Sequence, residues 1–287
     1  MKLFLPISIF LICFIPVSAQ KTVKVKTVQE FYNAIASNTV IELAPGDYHL
    51  EQVDTAQKNP ACNWSLVLFD EIYENETQEE DKTLLISGLE NLTIRAQTKG
   101  KDSVRILTNR RAASVLAFKG CSNLQLDGIV FGHDVVKYDD PNDLYISFCS
   151  GEVLEFFDCN KITLKSNVLF GCGTRGFLAH RCKNIVIEKT IIKDCTYGLF
   201  GVFDCENILF KKCSFHYKTY HQLMEISGCN NLTAKKTAIY NCVFSEYGES
   251  EVKVESSENI HPEQIRIRMM SNKEFFNMGD EMENHTP

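Results

Sequence analysis

An all-β solenoid is the fold this sequence predicts: a single-stranded right-handed parallel β-helix of about 23 residues per coil with a short N-terminal capping helix. Three observations carry it. Cys159, Cys182 and Cys205 stand 23 residues apart, Cys229 follows after 24, and Cys172 to Cys195 is again 23. Each marker opens the same short strand, as in Cys159-Asn-Lys-Ile162-Thr-Leu164, Cys182-Lys-Asn-Ile185-Val-Ile187, Cys205-Glu-Asn-Ile208-Leu-Phe210 and Cys229-Asn-Asn-Leu232-Thr-Ala234, with earlier copies at Cys121 and Leu89. The return half of each repeat, such as Gly173 to His180 and Thr196 to Phe203, is glycine-punctuated and rich in aromatic and branched side chains. A leucine-rich repeat shares the first half of this pattern but returns along a helix or a leucine-rich segment, so the return half decides for strands.

The elements follow in order. Met1 to Ala19 has one lysine, a short apolar core and a Val17-Ser18-Ala19 ending, which predicts a signal peptide cut after Ala19 and a secreted or periplasmic product. Next, Thr27-Val-Gln-Glu30 is a capping box, and Val28, Phe31 and Ile35 share one helical face. The repeats then run from residue 20 to 247. Beyond them, 248–287 loses the period and gains charge, which predicts a cap and a partly disordered tail. No later segment is long and apolar enough to span a bilayer, and a net charge of -7 argues against nucleic acid as the main partner. A monomer is expected.

The cysteines are rungs rather than a disulfide framework. Successive coils lie about 4.8 Å apart, so the markers stack inside as small apolar groups, mostly free thiols. A lone bridge is expected, if anywhere, among Cys62, Cys149 and Cys213, which lie outside the two main stacks. The outward row Lys165, Glu188, Lys211 and Lys235 reads as a solvated face with one ion pair. The sequons at Asn91 and Asn231 fall on the strand-entry position, so a structural role explains them.

The spacing breaks once. From Cys121 to Cys159 is 38 residues, a surplus of about 15 that falls on His133-Asp-Val-Val-Lys-Tyr-Asp-Asp-Pro-Asn-Asp-Leu-Tyr145. Long loops on a rigid solenoid are where function concentrates. Counting back from the markers places Glu152 and Arg175 at seven residues, and Glu155, Leu178, Gly201 and Glu225 at four. Alternation turns the second set outward with Phe157, His180 and Phe203, while Tyr197, Tyr220 and His221 lie at the turn leading in. Exposed rings beside carboxylates suit a sugar, so Tyr138, Tyr145, Glu155, Phe157, His180, Tyr197, Phe203, Tyr220, His221 and Glu225 are the candidate binding residues. For chemistry the candidates are His133, Asp134, Asp139, Asp140, Asp143 and Arg175, with Glu152 and Glu155 completing the set of carboxyl groups.

From Thr22 to about Tyr247 the chain resembles the pectin-lyase-like right-handed parallel β-helix proteins, on its Asn-Ile/Leu strand entries and on Val40-Ile-Glu-Leu-Ala-Pro-Gly-Asp-Tyr48 after the capping helix. The resemblance implies fold more than activity, because the family includes lyases, hydrolases, epimerases and adhesins. It implies a polysaccharide or cell-surface glycan as partner and no required cofactor, calcium being the ion that its uronate lyases use to neutralise an acid. Of the polygalacturonase motifs only Asp139-Asp140 is matched. Asp140-Pro-Asn-Asp143 resembles the mannuronan epimerase signature, but Asn142 stands where that signature has histidine. Two expectations result: a glycan-binding β-helix, or a uronate lyase, epimerase or glycoside hydrolase using the same loop.

Overall fold

The computed structural model describes residues 20–68, 71–73, 82–98, 103–110, 112–134, 151–172, 174–195, 197–216, 224–242, 252–261 and 266–269. The expected signal peptide lies outside them. So does most of the insertion, with Tyr138, Asp139, Asp140, Asp143 and Tyr145, and so do Tyr220 and His221.

Among the described residues, three sheets of nine, eight and nine strands wrap one core. One coil defines the pattern: Asn160–Lys165 belongs to the first sheet, Val168–Cys172 to the second and Arg175–His180 to the third. The next coil repeats it with Lys183–Glu188, Ile191–Cys195 and Gly198–Phe203, each strand pairing in parallel with its predecessor. In-register pairing joins Ile162 to Ile185 to Ile208, so like side chains stack along the axis.

The corners between strands need left-handed backbone. Asp158, Lys161 and Ser166 adopt φ of 53°, 59° and 55°, and the equivalent residues one coil later, Arg181, Asn184 and Lys189, adopt 51°, 59° and 51°. Asparagine tolerates this conformation best after glycine. At the first-sheet entry it also builds a ladder: Asn231 Nδ2 donates to Asn207 Oδ1 at 2.8 Å, Asn207 to Asn184 at 3.2 Å and Asn184 to Asn160 at 2.8 Å. Asn91 bonds Asn38 at 2.8 Å and accepts from Asn123 at 2.7 Å, so its amide is engaged at both ends.

The thiol stack lies where the spacing put it. Cys121, Cys159, Cys182, Cys205 and Cys229 are buried free thiols, and each Sγ from Cys159 to Cys229 accepts the backbone N–H of the preceding marker at 3.3–3.4 Å. The expected lone bridge is corrected for the described cysteines, since Cys62 and Cys213 are both free; Cys149 lies outside them. Beside the thiols Phe118, Phe156 and Phe177 stack at 5.2 and 5.3 Å in the interior.

Both ends depart from the simple repeat. The helix Val28–Ala34 covers the N-terminal opening, its Thr27 side chain accepting from the Glu30 N–H at 3.2 Å and its Phe31 fully buried. Tyr48 locks the first coil by donating its hydroxyl hydrogen to the carbonyls of Val25 and Ala44, at 3.1 and 3.0 Å. On the third sheet an antiparallel pair, Cys62–Leu68 with Lys82–Ser87, replaces the parallel rule. At the other end, past residue 247 where a cap and tail are expected, Val252–Glu255, Glu258–Ile260 and Arg266–Met269 each pair with the coil before. Ser257 takes the marker position there, its Oγ accepting the Cys229 N–H at 2.9 Å. Arg266 and Arg268 pair there with Ala238 and Tyr240.

Candidate functional site

The third sheet carries two adjacent rows that run along the axis. One is Ala117, Glu155, Leu178, Gly201 and Glu225; the other, at the strand entries, includes Glu152, Arg175 and Gly198. Ser114 stands seven residues before Cys121, as Glu152 does before Cys159 and Arg175 before Cys182. That shared offset was available from sequence and identifies Ser114 as part of the site.

These residues form one buried polar network. The Arg175 N–H donates to Glu152 Oε2, Nη1 to Glu152 Oε1 at 3.0 Å and Nη2 to Glu225 Oε2, while the guanidinium lies 4.6 Å from the Tyr197 ring centroid. Ser114 Oγ accepts the Glu152 N–H at 3.0 Å and shares a short hydrogen bond with Glu155 Oε1. Glu155 is 1% exposed, Glu152 5% and Arg175 8%. Two glycines make the geometry possible. A Cβ on Gly151 would stand 2.1 Å from the Ala113 carbonyl oxygen, and one on Gly201 would stand 2.8 Å from Leu178 Cδ1 and 3.1 Å from Arg175 Cδ. Gly201 therefore leaves the gap through which the Arg175 side chain crosses a coil to reach Glu225.

Charge in this cluster is governed by burial. Loss of solvent raises the Glu155 pKa well above the usual 4.5, the Glu152 charge adds to the rise, and Ser114 and Arg175 only partly oppose it. Burial raises Glu152 too, with Arg175 pulling it back. Glu155 is thus the carboxyl group that stays protonated. Between its unfolded and folded pKa values the folded state binds more protons than the unfolded chain, so stability falls as pH rises through that window. Glu155→Gln removes the titration while keeping a polar neighbour for Ser114. Thermal midpoints measured at about pH 5 and about pH 7 should differ less in this variant than in the wild type.

The expected exposed aromatic face is corrected. Phe157, His180 and Phe203 do form an outward row, but the rings stack on one another, Phe157 on His180 at 5.6 Å and His180 on Phe203 at 4.8 Å. Their faces are occupied by their neighbours. Phe157 is 1% exposed, packed in a small cluster with Val67, Leu85 and Ala117, and His180 is 8% exposed. Phe203, at the end of the stack, is half-buried.

His133 and Asp134 end the strand from which the insertion departs. The His133 ring is 2% exposed, its Nε2 lies 2.8 Å from the Ala113 carbonyl, and burial lowers its pKa, so it is neutral and turned inward. Asp134 is exposed and lies 4.0 Å from His49 Nδ1, which also meets Glu51 at 3.3 Å. Neither reaches the guanidinium of Arg175, which is taken by two carboxylates. Among the described residues no group of three or more His, Cys, Asp or Glu has the geometry of a metal site. No helix among them is long and apolar enough to cross a membrane.

The family described as right handed beta helix region matches residues 140–273. This chain is a right-handed parallel β-helix. The match reaches past residue 247, in agreement with the extra coil at that end of the β-helix. No curated protein matches the sequence. Among solved structures, ORF18 of Geobacillus virus E2 is similar at 9% identity and a TM-score of 0.30, over 85% of this chain and 58% of that one. The β-helix thus spans less than two thirds of the length of that viral chain.

Proposed function

We propose that this β-helix is an exported, pectin-lyase-like protein that binds a glycan on its third sheet, at the rim where Arg175, Glu225, Tyr197 and Phe203 meet. The observation that carries the reading is the placement of Glu225: its side chain is 12% exposed, it is held by Arg175, and it lies one coil from Gly201 and Phe203. A fixed carboxylate accepts hydrogen bonds from sugar hydroxyls, and the end of an aromatic stack offers an apolar surface to a ring. Tyr138, Tyr145, Tyr220 and His221, which lie outside the described residues, are the further candidates for contacts to a sugar ring.

Binding is favoured over uronate elimination because the two groups that chemistry needs are committed elsewhere. His133 is buried against a carbonyl, and the Arg175 guanidinium is buried between Glu152 and Glu225, which already neutralise it. A second reading, glycoside hydrolysis, is favoured by one observation: Glu155 is held neutral beside Glu152, as a general acid beside a second carboxyl group is. Asp139, Asp140 and Asp143, which lie outside the described residues, are the further carboxyl candidates for that reading. Incubating the mature chain with neutral and acidic polysaccharides, with and without calcium, tests both readings. Saturable retention without new reducing ends or unsaturated products supports binding; products that vanish in Glu155→Gln support hydrolysis; neither retention nor products overturns the proposal.

A further inference from the structure

The corner between the first and second sheets carries a row of lysines that strand-by-strand reading separates and the coil brings together. Lys189, Lys212 and Lys236 occupy the same corner position in three successive coils and are all exposed. The Lys189 N–H donates to the Lys211 carbonyl at 2.9 Å and the Lys212 N–H to the Lys235 carbonyl at 2.8 Å, which fixes the register. Beside them runs the outward row Lys165, Glu188, Lys211 and Lys235, in which Glu188 pairs with Lys211 at 3.1 Å. Six lysines and one glutamate therefore line one edge of a chain whose net charge is -7.

Two features of this edge oppose folding. Lys211 stands directly opposite Lys235, a like-charge pair that disfavours the sheet. Lys189, Lys212 and Lys236 also have φ of 51°, 56° and 52°, a conformation that asparagine and glycine adopt far more readily than lysine. At the strand-entry corner this same chain does use asparagine, at Asn184, Asn207 and Asn231. Keeping lysine at three corner positions where asparagine would relieve the backbone cost, beside a like-charge pair that is also kept, points to a ligand that needs the charge.

We propose that this corner is a docking line for a linear polyanionic polysaccharide lying along the solenoid axis. The inference does not rest on the third-sheet reading, since it concerns a different edge of the coil. One coil advances about 4.8 Å, close to the length of one pyranose ring, so one anionic sugar would meet one coil. Duplex nucleic acid carries a charge about every 1.7 Å, a poor match to this spacing. A lipid surface requires a broad basic face, whereas this row is two side chains wide.

The test uses the full mature chain, with heparin and polygalacturonate as probes and duplex DNA and anionic phosphatidylglycerol vesicles as comparison arms. The triple variant Lys189→Asn, Lys212→Asn, Lys236→Asn should lose about tenfold or more in affinity for the two glycans, with a shallower salt dependence. It should also unfold at an equal or higher temperature, an outcome that misfolding does not produce. A control triple with the same charge loss at exposed positions, Lys21→Asn, Lys24→Asn, Lys58→Asn, should bind as the wild type does. The inference is overturned if neither glycan binds, if both triples lose affinity equally, or if DNA or vesicles bind as tightly as the glycans.

Discussion

Arg175→Ala is expected to destabilise the protein by about 3–5 kcal/mol. The side chain is 10% exposed and holds Glu152 on one side and Glu225 on the other, with Tyr197 stacked on its guanidinium. Removing it leaves Glu152, itself 6% exposed, with no cation to offset its lost hydration. The penalty is the cost of an uncompensated buried charge rather than the net worth of the ion pairs, which burial has already reduced. Two further measurements separate these terms. Glu225→Gln alone should cost far less, because that carboxyl group is nearer to solvent. Glu152→Gln introduced into the Arg175→Ala background should recover part of the loss, since it removes the stranded charge. A thermal midpoint lowered by on the order of 10 °C in Arg175→Ala is the matching observable; a change within the scatter of surface substitutions would mean that the network is solvated and adds little.

Phe156→Ala should cost about 3–5 kcal/mol. The ring is fully buried, with Phe118 stacked on it at 5.2 Å and an interplanar angle of 8°, and Phe177 at 5.3 Å on the other side. Each coil of a solenoid packs only on its neighbours, so a hole in the middle of the stack weakens two interfaces at once. Phe203→Ala, at the half-buried end of the outward stack, has one ring neighbour among the described residues and should cost clearly less. Equilibrium denaturation of the two variants side by side measures the difference. Equal losses would show that the outward stack is as much a core as the inner one.

Spacing made the fold legible. A thiol every 23 residues is visible in a string, and parallel in-register pairing converts that spacing into a stack. The last coil escaped because its marker is Ser257, 28 residues after Cys229, although Ser257-Glu-Asn-Ile260 keeps the strand-entry pattern. The candidate site was legible in part. Offsets from the marker assembled Glu152, Arg175, Glu155 and Glu225 on one sheet, but alternation states which side of a strand a residue leaves, not what covers it. Phe157 and His180 point outward and are nonetheless buried, because their rings stack along the row and a cluster with Val67 closes the end. His133 was misleading for the same reason, since a histidine at a loop boundary can turn into the coil and bond a carbonyl. The lysine row was hidden because its members lie one residue beyond the strands, in a left-handed corner that propensity assigns to other residues.

The measurement that bears most directly on glycan binding by the third sheet is the affinity of the tightest-binding polysaccharide for the wild type, Glu225→Gln and Phe203→Ala, alongside the corner triple Lys189→Asn, Lys212→Asn, Lys236→Asn. The account predicts that, for a neutral glycan, each third-sheet variant weakens binding by about tenfold or more, a loss of about 1.4 kcal/mol, while the corner triple leaves it unchanged. Undiminished affinity in both third-sheet variants, with thermal midpoints near that of the wild type, would contradict it.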